Sequence, residues 1–211
     1  IQRYFIAAGL NSIGILTGGG IGRAVASWIA NGKPDVDVTG INVDRFHAYQ
    51  LNPSYRRERV QESLGLVYKC HYPFKDKETA RGVRFTPFYD RLKREGAFFR
   101  DVSGFECPDW YLSSLDAMED ISESKALELG KHMTWGKPAW FDYWAAEHAA
   151  CREGVVLVDM SFMSKFLVQG RDAGPALNYL CTADVASAQV GVGTITYTQW
   201  LNDDGKLEGD V

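Results

Sequence analysis

Three things are scarce in this sequence, and each scarcity removes a class of function. The four cysteines, Cys70, Cys107, Cys151 and Cys181, are widely spread and form no C-x-x-C pair, which predicts reduced thiols rather than a disulfide framework. No apolar run approaches the ~18–20 residues needed to cross a bilayer, and no signal peptide or basic presequence is visible. Positive charge has no surplus: the net charge is −4, and the densest basic stretch, Arg56-Arg57-Glu58-Arg59, is short and interrupted by acid. A nucleic-acid role needs a concentrated basic face, so it is disfavoured. What remains, 211 residues with 45% hydrophobic and 24% charged, is ordinary for one or two globular domains. The chain starts at Ile1 and ends at Asp210-Val211 inside an expected strand, which points to a piece of a longer protein.

Glycine is concentrated near the start, at positions 9, 14, 18, 19, 20 and 22. Tyr4–Leu10 is a short apolar run suited to a buried strand. Ile21, Val25, Trp28 and Ile29 then fall on one helical face, and Asn31-Gly32 supplies the stop. A glycine-rich turn running into a helix places unpaired backbone N–H groups in front of whatever lies there, and the positive helix end favours an anionic or electron-rich edge. The same spacing also occurs as plain punctuation between a strand and a helix. It is neither a complete G-x-G-x-x-G unit nor a Walker loop, since no Lys-Ser/Thr follows the glycines.

Tyr4-Phe-Ile-Ala-Ala-Gly9-Leu-Asn-Ser-Ile-Gly14-Ile-Leu-Thr-Gly18-Gly-Gly-Ile-Gly22 resembles the segment that closes the FAD-binding domain of the dimethylglycine and sarcosine dehydrogenases. The resemblance implies that Gly9, Leu10, Asn11, Gly14, Ile15, Gly18, Gly19, Gly20 and Ile21 contact FAD, with the following helix aimed at the pyrimidine edge of the ring. A positive helix end suits a reduced flavin that is anionic around N1 and O2. Related amine oxidases often place a basic residue near the position of Leu16, and leucine cannot clamp a substrate carboxylate.

Further along, Pro34 and Gly40 punctuate an extended stretch over Val36–Asp44. Asn52-Pro53 and Thr86-Pro87 read as helix starts, the second helix running to Arg94 with Gly96 at the C′ position. Tyr68–Phe74 reads as a strand. Residues 78–92 and Gly104-Phe-Glu-Cys-Pro-Asp-Trp110 resemble the central segment of the same dehydrogenases and the entry into their C-terminal half. The acid-rich stretch Ser113–Lys131 predicts a solvated helix or a loop. Ala139–Glu153 reads as a helix with Trp140, Phe141, Trp144, His148 and Cys151 on its core face. Val155–Asp159 and Lys165–Gly170 read as strands, Asp172 as the cap of a helix over Ala173–Cys181, and Thr194–Leu201 as the first arm of a hairpin turning at Asp204-Gly205.

The run from Trp140 to Val211 is similar to the opening of the aminomethyltransferase fold of glycine-cleavage T-proteins, on Val158-Asp-Met-Ser161, Lys165–Asp172, Asn178–Val185, Tyr197–Asn202 and Gly205–Val211. Such domains bind tetrahydrofolate. The resemblance implies that Asp210 sits close to the folate nitrogens, where a carboxylate steadies a developing iminium or shuttles a proton. T-proteins carry paired acids there, whereas this chain has Gly209-Asp210. His148 and Cys151 have a spacing compatible with metal ligation, but without a second pair the reading is a helix face and no metal.

The expected fold is therefore α/β plus α+β. Residues 1–37 would be the closing strand and helix of a flavin-binding domain, 38–96 a small connecting (FAD-dependent oxidoreductase central) domain, and 97–211 the N-terminal part of an aminomethyltransferase-like folate-binding fold. The resemblance implies oxidation of an N-methylamine such as dimethylglycine or sarcosine, delivery of electrons to a further acceptor, and one-carbon transfer to tetrahydrofolate. The location would be the mitochondrial matrix in a eukaryote and the cytoplasm otherwise. The alternative is a non-catalytic homologue acting as the regulatory subunit of pyruvate dehydrogenase phosphatase. A stand-alone folate aminomethyltransferase would leave roughly the first ninety residues of the chain without a purpose.

Overall fold

The computed structural model describes residues 4–187 and 191–211, a mixture of helices and short strands. Contacts divide the chain into two compact units, Ile1–Phe162 and Met163–Val211.

In the first unit, helix α1 (Gly14–Asn31) ends as the sequence predicts. Gly32 adopts φ +76°, and its N–H returns to the Trp28 carbonyl at 2.9 Å. Its start is a correction. The helix begins at Gly14, so Gly18, Gly19, Gly20 and Gly22 lie inside it rather than in a turn ahead of it. The reason is local. Ser12 takes a left-handed conformation (φ +65°), Ile13 donates to the Leu10 carbonyl, and Thr17 bonds the Ile13 carbonyl through both its N–H and its hydroxyl. A helix nucleated there propagates through the glycines, each of which costs only about 1 kcal/mol relative to alanine. The expected strand at Tyr4–Leu10 does not form, and Tyr4 and Ile6 are exposed.

Helix α2 (Pro53–Leu66) starts where Asn52 accepts from the N–H groups of Ser54 and Tyr55 at 2.9 and 3.3 Å. The stretches Val36–Asp44 and Tyr68–Phe74 form no strand. Strand β1 (Arg84–Phe85), helix α3 (Tyr89–Arg94), and strands β2 (Ala97–Val102) and β3 (Phe105–Tyr111) follow. The sheet order is β1-β3-β2, with β2–β3 antiparallel around a Ser103-Gly104 turn whose residues both have positive φ. β1 joins β3 in parallel, Arg84 beside Phe105 and Phe85 beside Glu106.

Helices α4 (Glu123–Lys131) and α5 (Phe141–Glu153) cover this sheet. The core is aromatic: the Phe98 and Trp110 rings stack at 5.5 Å, Trp110 and Trp140 at 6.2 Å, with Leu112 and Ala126 closing the gaps. Two expectations change here. The acid-rich stretch is not merely solvated, because α4 buries Ala126 and Gly130 while Glu123 and Glu128 face outward. On α5 the core side is Trp140, Tyr143 and Trp144, and His148 and Cys151 are exposed.

A polar network fastens residues 58–82 to the β2–β3 hairpin. Arg81 forks onto the buried Glu106 carboxylate, donates to the Phe99 carbonyl at 2.9 Å and lies 3.6 Å from Asp76. Arg59 reaches Asp101 at 2.9 Å and the Thr79 carbonyl at 2.8 Å. Asp76 accepts the Asp101 N–H, Arg100 bonds Asp109 and the Phe74 carbonyl, and Glu62 gathers the N–H groups of Glu78 and Thr79.

In the second unit, Lys165–Gly170 forms no strand, with Phe166 and Leu167 exposed; in the first, Val155–Asp159 likewise forms none, with Val155 and Leu157 exposed. Both are apolar runs with strand composition that form no strand, and composition alone makes no ladder. Helix α6 (Ala173–Leu180) has Asp172 at its N-cap position, though the carboxylate bonds Arg171 instead of the helix. Strands β4 (Gln199–Leu201) and β5 (Leu207–Asp210) form the hairpin, turning through Asn202–Lys206 with Gly205 at φ +75°. Its first arm is shorter than the expected Thr194–Leu201.

Candidate functional site

Two places gather the residues that the sequence singles out, one in each unit. At the start of α1, Ile13 occupies the N-cap position and offers no side-chain hydrogen bond, and no acidic residue lies in the first turn. The N–H groups of Gly14, Ile15 and Leu16 therefore have no helical partner and carry the positive end of the helix dipole. The side chains of Ile15 and Leu16 are exposed, and an added Cβ at Gly9, Gly18, Gly19 or Gly20 would meet nothing within 4 Å. Gly9 and Gly14 stand at the mouth with Leu10 and Asn11, whereas Gly18–Ile21 lie one to two turns in. Their N–H groups are committed to the helix, so they offer smooth surface and no donors.

In the second unit, strand alternation sorts the hairpin into two faces. Thr198 and Trp200 face α6: the Thr198 hydroxyl accepts from the Ala183 N–H at 3.0 Å, and the Trp200 indole donates to Cys181 Sγ at 3.2 Å. Gln199 pairs directly across from Asp210 on the other face, and its carboxamide donates to Asp210 Oδ1 at 3.3 Å. Tyr197 shares that face, and its contact with the Asp210 carboxylate raises the phenol above its ordinary value, against a smaller opposing effect of Gln199. Sequence reasoning singles out Asp210 without these two companions. The signal for them is present, since a hairpin closed at Gly205 puts 199 opposite 210 and 197 two residues along.

Gly209 lies opposite Trp200, and a Cβ there would come within 3.2 Å of the indole, a tight contact that the ring would have to relieve by a few tenths of an ångström.

Other ionisable groups belong to the scaffold. An apolar groove of about 1160 Å³ runs along α5 and residues 155–162. Around it, burial pushes the Cys107 thiol up to about 11 and the Tyr111 phenol up to about 12. Burial also raises Glu147, although its carboxylate accepts the Tyr111 N–H at 2.8 Å and the Ser114 hydroxyl at 2.9 Å. Such a Glu147 ties α5 to the end of β3. Among the described residues no group of three or more His, Cys, Asp or Glu side chains is placed to hold a metal, and no helix is long and apolar enough to cross a membrane.

Comparison with known proteins gives the class first. Residues 31–86 match the FAD dependent oxidoreductase central domain, and residues 88–211 match the GCVT N-terminal domain, so a flavin-oxidoreductase segment precedes a T-protein-like one. Among similar proteins, 4-methylaminobutanoate oxidase (formaldehyde-forming) of Paenarthrobacter nicotinovorans is 39% identical over 211 residues, covering 100% of this chain and 24% of that protein. The mitochondrial pyruvate dehydrogenase phosphatase regulatory subunit of Mus musculus is 36% identical over 212 residues (100% and 23%). The mitochondrial sarcosine dehydrogenase of Homo sapiens is 31% identical over 227 residues (100% and 24%). The chain spans about a quarter of the length of these curated relatives. It belongs to the GCVT N-terminal domain family, in the branch where that domain follows an FAD dependent oxidoreductase central domain.

Proposed function

We propose that the protein is an FAD-dependent oxidoreductase of N-methylated amino acids that passes the released one-carbon unit to tetrahydrofolate. The match along the whole chain to relatives named for oxidising methylamino compounds carries this reading. The uncapped mouth of α1 fits it. The free N–H groups of Gly14, Ile15 and Leu16 would face the anionic edge of the flavin, with Gly9, Leu10 and Asn11 beside it and Gly18, Gly19, Gly20 and Ile21 along the helix. FAD, when bound, supplies the two-electron acceptor. Leu16 brings no charge, so the substrate carboxylate would be held by residues outside α1.

On the hairpin, Asp210 would offer its carboxylate to the folate nitrogens, moving a proton or steadying positive charge, while Gln199 holds Oδ1 and Tyr197 shares the same exposed face. Dimethylglycine, sarcosine and 4-methylaminobutanoate are the substrates to compare. A further electron acceptor would complete the cycle, and a eukaryotic protein of this kind would reside in the mitochondrial matrix.

Purified full-length protein is expected to be yellow, and anaerobic addition of one of the three amines is expected to bleach the flavin band. The second reading, a regulator without catalysis, is favoured by the 36% identity to a phosphatase regulatory subunit. Colourless full-length protein that binds a pyruvate dehydrogenase phosphatase catalytic subunit would replace the first reading with the second.

A further inference from the structure

A separate cavity of about 440 Å³ lies in the first unit, bounded by residues 75–82, the end of α3, β2 and α4. Its volume falls within the range of small-molecule sites. Charge around it can be accounted for group by group. Four carboxylates line it. Asp76 and Glu106 are engaged by Arg81, Glu78 by Lys75, and Glu123 by Lys93 at 3.1 Å. Arg100, also on the lining, is matched by Asp109. Lys77 and Lys131 line the cavity with no carboxylate of the described residues within salt-bridge distance, and, since Arg81 alone serves both Asp76 and Glu106, the lining and its partners keep a net surplus of one positive charge in a chain whose net charge is −4. A cleft with such a local surplus focuses potential and draws anions.

One wall is aromatic. The Phe85 and Tyr89 rings lie 4.5 Å apart and tilted by 56°, and Tyr89 and Phe99 4.6 Å apart and tilted by 38°, so ring faces and edges follow one another along the cavity. The Lys75–Glu78 and Lys93–Glu123 pairs are solvent-accessible and weak, so they yield to a better anion. Arg81, by contrast, is fixed by the buried Glu106 and stays structural.

We propose that this cavity binds a small planar dianion, an aromatic dicarboxylate in chemical class, with its ring on the Phe85–Tyr89–Phe99 wall and its carboxylates on Lys77 and Lys131. The site is independent of the α1 mouth and of Asp210, and it holds whether or not the protein is an oxidase. Isothermal titration of the full-length protein with benzene-1,3-dicarboxylate tests it, beside cyclohexane-1,3-dicarboxylate (same charge, no ring face) and benzoate (ring, one charge). The aromatic dicarboxylate is expected to bind at least tenfold more tightly than either control and to weaken as salt is raised. The double variant Lys77→Gln/Lys131→Gln is expected to lose tenfold or more in affinity, and Tyr89→Leu to abolish the preference over the cyclohexane compound. Lys33→Gln should change nothing, and unaltered thermal unfolding checks that the variants fold. Absence of binding, equal binding of ring and cyclohexane compounds, or full binding by the double lysine variant would each overturn the assignment.

Discussion

Replacing Arg81 by methionine should damage this protein far more than loss of one surface charge would. Glu106 is 6% exposed near the start of β3, and its carboxylate is satisfied by the Arg81 fork and by the Gly82 N–H at 2.7 Å. Burial works against the Arg81 charge, yet the hydrogen bonds and charge of Glu106, with Asp76 and Asp101, outweigh it and hold the guanidinium above its ordinary value. Removing one partner of a buried pair leaves the other uncompensated, at a cost of about 3–5 kcal/mol. Arg81 keeps 28% of its side chain in solvent, so the low end, ~3 kcal/mol, applies. That is a large share of the 5–15 kcal/mol that holds a typical domain together. In urea, the midpoint should fall with little change in m-value. Adding Glu106→Gln, which keeps an acceptor for the Gly82 N–H, should restore most of the loss and give a coupling energy near 2 kcal/mol. A single variant costing less than 1 kcal/mol, or a double variant no better than the single, would show that the fork is not what satisfies Glu106.

The other expectations concern packing, titration and the hairpin. Gly130→Ala should cost about 1–3 kcal/mol in the same unfolding assay, because any Cβ there runs into the Phe98 ring on which α4 rests. Glu147 has a raised pKa, so the stability it contributes is complete below its unfolded value and declines as pH rises through the folded one; melting Glu147→Gln between pH 4 and 7 should show that decline removed. Iodoacetamide at pH 8 should alkylate the exposed Cys70 and Cys151 well before Cys107, whose thiol burial pushes up to about 11; labelling of Cys107 at an equal rate would contradict its placement in the core. Gly209→Asp, restoring the paired acids of T-proteins, should shift Trp200 fluorescence, and Gly209→Asp with Trp200→Met should relieve it.

Legibility of the fold followed the range of the forces involved. Helix ends set by one side chain or one glycine are readable: Asn52 capping α2, Gly32 and Gly96 beyond α1 and α3, and Gly205 in the hairpin all stand where sequence alone places them. Strands are less readable, since a ladder needs a neighbour that composition does not supply. Val155–Asp159 and Lys165–Gly170 have strand composition and form no strand, whereas Ala97–Val102 and Phe105–Tyr111 pair through a two-residue turn. The start of α1 was misplaced for a third reason. Glycine is weighed as a helix breaker, but at Gly18–Gly20 its small cost is overridden by the Ile13–Thr17 hydrogen bonds that nucleate the helix earlier. At the candidate sites, single residues such as Asp210 and Gly14 can be named from sequence, while Tyr197 and Gln199 emerge only once hairpin register is fixed.

The two family segments meet inside a single sheet. β1, the end of the oxidoreductase-central match, is hydrogen-bonded to β3, which lies within the GCVT match, and the Arg59, Arg81 and Arg100 contacts cross the same line. A hinge between the segments would have to break a parallel strand pair and strand Glu106, a cost on the scale of the whole domain's stability. The boundary between the two matched segments, over residues 58–111, is therefore a packed joint rather than a linker.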